Sequence, residues 1–120
     1  MKDIIRYNDF IGSVHFSTDD EIFYGKIEGI NDLITFEGST VKQLKKAFED
    51  AVDDYLSICE EVGKDPYKSF KGSFNVRINP ELHKKAFQLA TIEGVSLNAL
   101  IQDAIEHEIN NKQDRFSLVM

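Results

Sequence analysis

A short strand followed by two short helices, in the last fifty or so residues, most constrains what this sequence can fold into. Residues 73–78 alternate strictly, with Phe74, Val76 and Ile78 on one face and polar side chains on the other. Such alternation predicts a β-strand. One strand and two helices span about forty residues, too few to bury a hydrophobic core alone. The strand also lacks a partner for its backbone N–H and C=O groups. The pattern therefore predicts a dimer, in which two strands pair antiparallel and four helices close a shared core.

The two helices are marked by their capping residues. Asn79 and Pro80 provide an N-cap and a first helical position, and Gly94 is suited to end that helix in the left-handed conformation. Ser96 is suited to cap the second helix. Apolar side chains recur at helical spacing after each cap. Together with the strand, they predict a dimer core that comprises Phe74, Val76, Ile78, Leu100, Ile101 and Ile105.

The polar face of the strand carries Ser73, Asn75 and Arg77. Because the other face enters the shared core, these side chains point outward. The major groove of DNA admits a two-stranded ribbon, in which Asn bonds adenine, Arg bonds guanine and Ser serves either role. The face therefore predicts base contacts, and the alternative is an ordinary solvated strand. Phe74 also has an alternative role, which is to pack on the DNA backbone instead of in the core.

The start of the second helix suits a phosphate group. Ser96, Leu97 and Asn98 present backbone N–H groups at the positive end of the helix dipole. Phosphate contacts fix the register of a protein on DNA, while base contacts read the sequence. These three residues are therefore predicted to make the phosphate contacts.

The preceding part of the chain predicts a different unit, of the α+β class. Turn-forming residues separate three strands of an antiparallel meander, which are expected at 11–17, 22–27 and 33–37. A helix follows, with Thr40 as its N-cap and Gln43 completing a capping box. Its apolar stripe recurs from Val41 onward, and Gly63 and Pro66 end it. We expect this helix to lie across one face of the meander.

The acidity of the chain is concentrated in this first part. Residues 1–71 carry 9 Lys/Arg and 15 Asp/Glu, whereas residues 72–120 carry 5 and 6. An acidic unit suits a basic partner, such as an RNA-binding protein. The alternative is that the charge only keeps the protein soluble.

Three features favour a cytoplasmic protein without a membrane span. The chain has a single cysteine, Cys59, its N-terminus lacks the apolar core of a signal peptide, and it contains no long apolar run.

Neither a catalytic centre nor a cofactor site is predicted. A two-metal nuclease needs several carboxylates converging on ions about 4 Å apart. Asp53 and Asp54 lie on the predicted helix and residues 19–21 lie in a turn, so nothing in the sequence makes them converge. A solvated face or a partner surface is the better interpretation. The three histidines show no metal-ligand spacing with Cys59 or with each other.

Several segments resemble a known family. Gly-Ser-Phe-Asn-Val-Arg-Ile-Asn-Pro-Glu-Leu-His at 72–83, followed by Ala90, Gly94 and Ser-Leu-Asn at 96–98, resembles ribbon-helix-helix proteins and, more narrowly, the C-terminal part of HicB-type antitoxins. Three earlier segments resemble the N-terminal domain of that family: Tyr-Gly-Lys-Ile-Glu-Gly-Ile at 24–30, Thr-Phe-Glu-Gly at 35–38 and Ala-Val-Asp-Asp-Tyr-Leu at 51–56. The resemblance spans roughly residues 7–109.

The short polar stretch at 64–72 contains Pro66 and Gly72, which predicts a boundary between the two parts. We therefore expect an N-terminal domain at 1–66, a linker at 67–71, a ribbon-helix-helix unit at 72–110 and a tail at 111–120. For the N-terminal domain, the resemblance implies a partial ribonuclease H-like fold without nuclease activity. By position, Ser73, Asn75 and Arg77 would contact bases and residues 96–98 would contact phosphates.

The resemblance also implies a function and partners. The protein would be an antitoxin that blocks a HicA-type toxin, an RNA-cleaving protein, and it would repress its own operon as a homodimer or a higher oligomer. The alternative is a stand-alone repressor with the same DNA-binding residues and no toxin partner.

Overall fold

The computed structural model describes residues 3–113, so most of the predicted tail, 114–120, lies outside the described residues. The chain divides into two compact units, with the boundary between Ser73 and Phe74. The fold class is α+β, with two small antiparallel sheets and three helices among the described residues.

The first unit begins with five short strands. They are β1 (Ile4–Tyr7), β2 (Phe10–Ser13), β3 (His15–Ser17), β4 (Ile22–Lys26) and β5 (Thr35–Gly38). Strands β1 and β2 form a hairpin whose two turn residues, Asn8 and Asp9, both have positive φ, at 49° and 68°. That is the backbone that a tight hairpin turn requires. The other three strands form the expected antiparallel meander in the order β3-β4-β5.

The two sheets are joined where β2 passes into β3. The first predicted strand is split at Val14, and β2 makes an isolated bridge to the chain beyond β4 through Gly12 and Ile27. Ser13 approaches β4 so closely that a Cβ on Gly25 would lie 1.7 Å from the Ser13 carbonyl oxygen. A side chain at position 25 would therefore separate the strands, which explains the glycine.

Helix α1 (Val41–Val62) lies against the sheet and supplies most of the core. Thr40 Oγ1 accepts from the Gln43 N–H at 3.1 Å, which confirms the predicted N-cap. The Gln43 side chain accepts in turn from the N–H of Ser39, one residue before the cap. Gly63 ends the helix with φ 70°, as predicted. Within residues 3–73, the buried core cluster comprises Phe10, Ile27, Phe36, Leu44, Phe48, Val52, Tyr55 and Cys59.

Residues 65–70, which include most of the predicted linker, pack against the first unit. The Tyr67 ring stacks on Phe10, with ring centroids 5.3 Å apart and planes 17° from parallel. Ser69 Oγ donates to the Gly29 carbonyl at 2.6 Å, and the Phe70 ring lies over Gly29. Residues as late as Phe70 therefore contact the first unit.

The second unit consists of a segment without regular secondary structure and two helices, α2 (Pro80–Glu93) and α3 (Leu97–Asn111). Their predicted caps are confirmed: Asn79 Oδ1 accepts from the Leu82 N–H at 2.8 Å, and Gly94 ends α2 with φ 73°. The two helices contact each other, and Ala90 of α2 is buried. Within residues 3–113, no helix is long and apolar enough to cross a membrane.

Candidate functional site

The segment before α2 has no regular secondary structure, and no other strand among the described residues pairs with it. It follows Gly72, whose φ of 81° turns the chain, and every residue from Ser73 to Asn79 is exposed. Within the described residues, no strand pairs with 73–78. The alternating pattern is therefore present without the partner that would make it a strand. The backbone groups of this segment are open to a second strand.

The three predicted base-contacting residues lie in this segment with exposed side chains. Ser73, Asn75 and Arg77 are separated by two positions each, so a paired, extended backbone would place them on one face. Among residues 3–113, no carboxylate forms an ion pair with Arg77. Their amide, guanidinium and hydroxyl groups are therefore available to a ligand.

The intervening residues form an apolar face that the second unit does not cover. Phe74 is 72% exposed, Val76 is 67% exposed and Ile78 is also exposed. Exposed apolar side chains in such a regular row mark an interaction surface. They are the residues that the sequence assigns to a dimer core.

Helix α3 likewise leaves exposed the apolar side chains that the sequence assigns to the dimer core. Ile101 and Ile105 of α3 are exposed and Leu100 is half-buried, although all three belong to the predicted core. In residues 74–113, Ala90 is the one hydrophobic residue that is fully buried. A unit that buries so little apolar surface cannot offset the conformational entropy of folding. It needs another surface to cover it.

The predicted phosphate-contacting residues lie at the start of α3. Ser96 Oγ accepts from the Ala99 N–H at 3.0 Å, which confirms it as the N-cap. Leu97 is half-buried and Asn98 is exposed. No acidic residue occupies the first turn of this helix, so its positive end is not neutralised locally.

Two carboxylates of α1, those of Asp50 and Asp53, bond to other side chains of the first unit. Asp53 accepts from the Tyr7 hydroxyl at 3.1 Å and 3.2 Å through its two oxygens, and this contact raises the pKa of Tyr7. Asp50 pairs with Lys46 at 2.7 Å. Among residues 3–113, no group of three or more His, Cys, Asp or Glu side chains is placed to hold a metal ion.

A second polar cluster ties the loop before β5 to the end of α1. Asp32 accepts from the Tyr55 hydroxyl at 3.0 Å and from the Lys64 ammonium. The Lys64 contact is the main reason that the pKa of Asp32 falls below its ordinary value. Burial, with hydrogen bonds to Cys59 and Asp32, raises the pKa of Tyr55. The cluster closes one end of the first unit, and Cys59 is a buried thiol beneath it.

Sequence reasoning missed two contributions to the first unit. Strand β1 is only four residues long and its turn lacks glycine, so it carries a weak hairpin signal. The docking of Tyr67 and Phe70 depends on residues some forty to sixty positions earlier in the chain, which local patterns do not reveal. The aromatic pair in a short polar segment was the available signal.

Comparison with known proteins gives one similarity. The model of the HicB family matches residues 55–105, which cover the last eight residues of α1, the segment before α2, the whole of α2 and the first nine residues of α3. No curated protein and no solved structure matches the chain. The match thus includes the unpaired segment and both helix caps of the second unit. It supports a HicB-type protein, related to toxin–antitoxin systems.

Proposed function

We propose that this chain is the antitoxin of a type II toxin–antitoxin pair. It neutralises a HicA-type mRNA-cleaving toxin and represses its own operon by binding DNA as a ribbon-helix-helix dimer. The observation that carries the proposal is the exposed, unpaired segment 73–78, whose apolar and polar residues alternate directly before two capped helices.

Dimerisation follows from what the second unit leaves exposed. Pairing two copies of residues 73–78 satisfies backbone groups that are otherwise open. The same pairing brings Phe74, Val76 and Ile78 of both copies against the exposed faces of α2 and α3. Each large apolar side chain that becomes buried contributes roughly 1.5–3 kcal/mol. The dimer therefore supplies the core that one copy lacks.

DNA recognition follows from the opposite face of the same ribbon. Once the apolar face is covered, Ser73, Asn75 and Arg77 of both copies form a polar surface of six side chains. A two-stranded ribbon of this kind fits the major groove and reads base edges. The backbone N–H groups of Leu97 and Asn98, which the Ser96 cap does not engage, then hold phosphates. The second unit has few cations, so we expect moderate affinity per dimer.

Toxin binding is assigned to the first unit. This unit carries the acidic excess of the chain, and acidic side chains such as Asp54 and Glu60 lie exposed on α1. Such a surface attracts a basic, RNA-binding partner. We further propose that the unit has a partial ribonuclease H-like fold without nuclease activity. In support, both carboxylate oxygens of Asp53 accept from the Tyr7 hydroxyl.

The DNA-binding proposal is tested by fluorescence anisotropy with labelled DNA from upstream of the gene. Wild type is compared with the Asn75→Ala/Arg77→Ala double variant at two salt concentrations. The matched control is Asn31→Ala/Lys42→Ala, which removes an exposed amide and an exposed cation from the first unit. We expect salt-sensitive binding that the first variant loses and the control retains. Equal binding by all three proteins would show that the ribbon does not read DNA.

The antitoxin proposal needs a separate measurement. The product of a short basic reading frame beside this gene is produced alone and together with this chain, and its cleavage of mRNA is followed. We expect stoichiometric inhibition that survives Asn75→Ala/Arg77→Ala, because the DNA-contacting face is not involved. DNA binding without inhibition of any such neighbour would favour the stand-alone repressor instead.

A further inference from the structure

The sheet of β3, β4 and β5 has one face that α1 does not cover. Its inner face carries Phe36, which packs on Phe48 of α1 with ring centroids 4.9 Å apart. Because side chains alternate along a strand, the two neighbours of Phe36 in β5, Thr35 and Glu37, lie on the outer face. Both are exposed, and so is Tyr24, which lies opposite Glu37 in the register of β4 and β5. A partner can therefore bind this outer face without disturbing the core.

The outer face contains a pocket of about 490 Å³. Its lining includes Ser17, Asp20, Ile22, Tyr24, Thr35 and Glu37. A volume of this size lies in the range of small-ligand sites, so the pocket has room for a whole side chain of a partner. Lys26 lies on the same face, opposite Thr35, but it does not line the pocket. The two charged residues of the lining, Asp20 and Glu37, are both acidic.

Neither of these acids is neutralised by a cation of the described chain. Among residues 3–113, neither Asp20 nor Glu37 forms an ion pair. Asp20 belongs to the turn before β4, and its backbone N–H donates to Ser17 Oγ at 3.2 Å, which fixes the turn beside the pocket. Two negative charges that face one concave surface add their potentials there. The pocket therefore attracts a cation.

Tyr24 adds an aromatic ring to this negative pocket. The ring is 43% exposed, and His15 of β3 lies beside it, with ring centroids 5.3 Å apart and planes tilted by 34°. Glu37 lies opposite Tyr24 on the other neighbouring strand, and the Cβ atoms of such a pair are about 4.5–5.5 Å apart. A guanidinium group stacks on an aromatic face and donates two parallel hydrogen bonds to a carboxylate. A ring beside a carboxylate therefore suits arginine better than the compact ammonium of lysine.

We propose that this pocket is the docking site for an arginine side chain of a basic, RNA-binding protein partner. The guanidinium stacks on Tyr24 and donates to the Glu37 carboxylate, and Asp20 adds the second negative charge. The identity of the partner rests on the proposed function, in which the first unit binds the toxin. The inference assigns the contact to the outer face of the sheet and not to the exposed face of α1. The two carboxylates disfavour RNA itself, because they repel its phosphates.

The first test needs no toxin. The isotopically labelled full chain is titrated at low salt with the peptide acetyl-Gly-Arg-Gly-amide and followed by NMR, with the corresponding lysine and glutamate peptides as matched probes. We expect the amides of Tyr24 and Glu37 to shift with the arginine peptide, with an affinity on the order of millimolar, and not with the glutamate peptide. No shift there, or equal affinity for the lysine peptide, would overturn the proposal. Shifts of the same amides with a short single-stranded RNA would also overturn it.

Matched variants separate the ring from the charge. Tyr24→Leu removes the aromatic ring, Tyr24→Phe keeps it, and Glu37→Gln removes the charge while keeping the shape. We expect Tyr24→Leu and Glu37→Gln each to weaken binding of the arginine peptide by about threefold or more, and Tyr24→Phe to bind as wild type does. Glu60→Gln, the same change at an exposed position of α1, is the control. Equal losses in Glu37→Gln and Glu60→Gln would mean that the net charge, and not the pocket, attracts the peptide.

The final experiment measures binding of the protein encoded by the short basic reading frame beside this gene. We expect the Tyr24→Leu/Glu37→Gln variant to bind it about tenfold or more weakly than wild type, and Glu60→Gln to bind it normally. Wild-type affinity of the double variant would overturn this docking site and leave the antitoxin proposal intact. If wild type bound the arginine peptide but not the neighbouring protein, the antitoxin proposal would fail and the arginine pocket would stand.

Discussion

The two units of this protein differ in how much apolar surface each of them buries. Within residues 3–73, a single amphipathic helix and two small sheets enclose a cluster that includes the completely buried side chains Phe48 and Val52. Within residues 74–113, two helices of similar regularity bury Ala90 and leave most of their larger apolar side chains exposed. Well-capped helices are therefore not enough to make a self-sufficient unit. What differs is the surface against which the helices can pack.

This difference also separates the two kinds of function. A unit with its own core can present its outer surface to a partner without changing its fold. A unit without one acquires its core and its binding surface in the same step, because pairing of 73–78 buries one face and aligns the other. In the proposed function, toxin binding belongs to the first kind and DNA binding to the second.

The largest expected effect is on the core of the first unit. Phe48→Ala removes a fully buried ring, so we expect the free energy of unfolding of this unit to fall by about 3–5 kcal/mol. Urea unfolding monitored by hydrogen exchange measures each unit separately. Leu33→Ala, at an exposed position, is the control and should change little. If the second unit lost as much stability as the first, the two would not be independent.

The counterpart in the second unit is Val76→Asp. In the single chain this side chain is exposed, so a charge there costs little, but in the proposed dimer it would be buried without a partner. We expect the dimer to weaken by several kcal/mol, about a hundredfold or more in dissociation constant. Sedimentation equilibrium measures this change. Ile92→Asp is the control, because Ile92 is even more exposed but lies outside the predicted core. A dimer that tolerates Val76→Asp would exclude the ribbon.

The accuracy of the sequence-based predictions depends on how far away the deciding contacts lie. Helix starts and ends were predicted well, because caps such as Thr40, Asn79 and Ser96 act within three residues. The meander was predicted from alternation, but the split at Val14 and the packing of Tyr67 on Phe10 were not, since both depend on distant parts of the chain. For 73–78, the contacts that would decide its structure belong to another copy. The predicted base, phosphate and dimer contacts therefore remain predictions.

A smaller effect is expected from the helix caps, and it compares the two units directly. Ser96→Ala and Thr40→Ala each remove one hydrogen bond to a first-turn N–H, which costs about 1 kcal/mol. Helix α1 is held by its buried stripe and should stay formed. Helix α3 has little tertiary support in one copy, so its first turn should fray at protein concentrations below the dimer dissociation constant. Amide exchange of the first turns of the two helices, followed against protein concentration, would show this. Equal and concentration-independent exchange would mean that α3 needs no partner.

The smallest effect concerns how the first unit closes itself with polar contacts. The folded-state pKa of Asp32 lies below its ordinary value of 3.8, mainly because the Lys64 ammonium donates to the carboxylate and secondarily because the Tyr55 hydroxyl does so. A depressed pKa contributes stability that is fully present above the unfolded-state pKa and is lost as the pH falls through the folded-state pKa.

Asp32→Asn should therefore lower the stability of the first unit at neutral pH, and the difference from wild type should shrink below about pH 4. Urea midpoints between pH 7 and pH 2 measure it, with Asp19→Asn in the exposed turn as the control. A difference that persists unchanged at pH 2 would show that Asp32 acts through packing and not through its charge. The closure of the first unit would then depend on its apolar core alone.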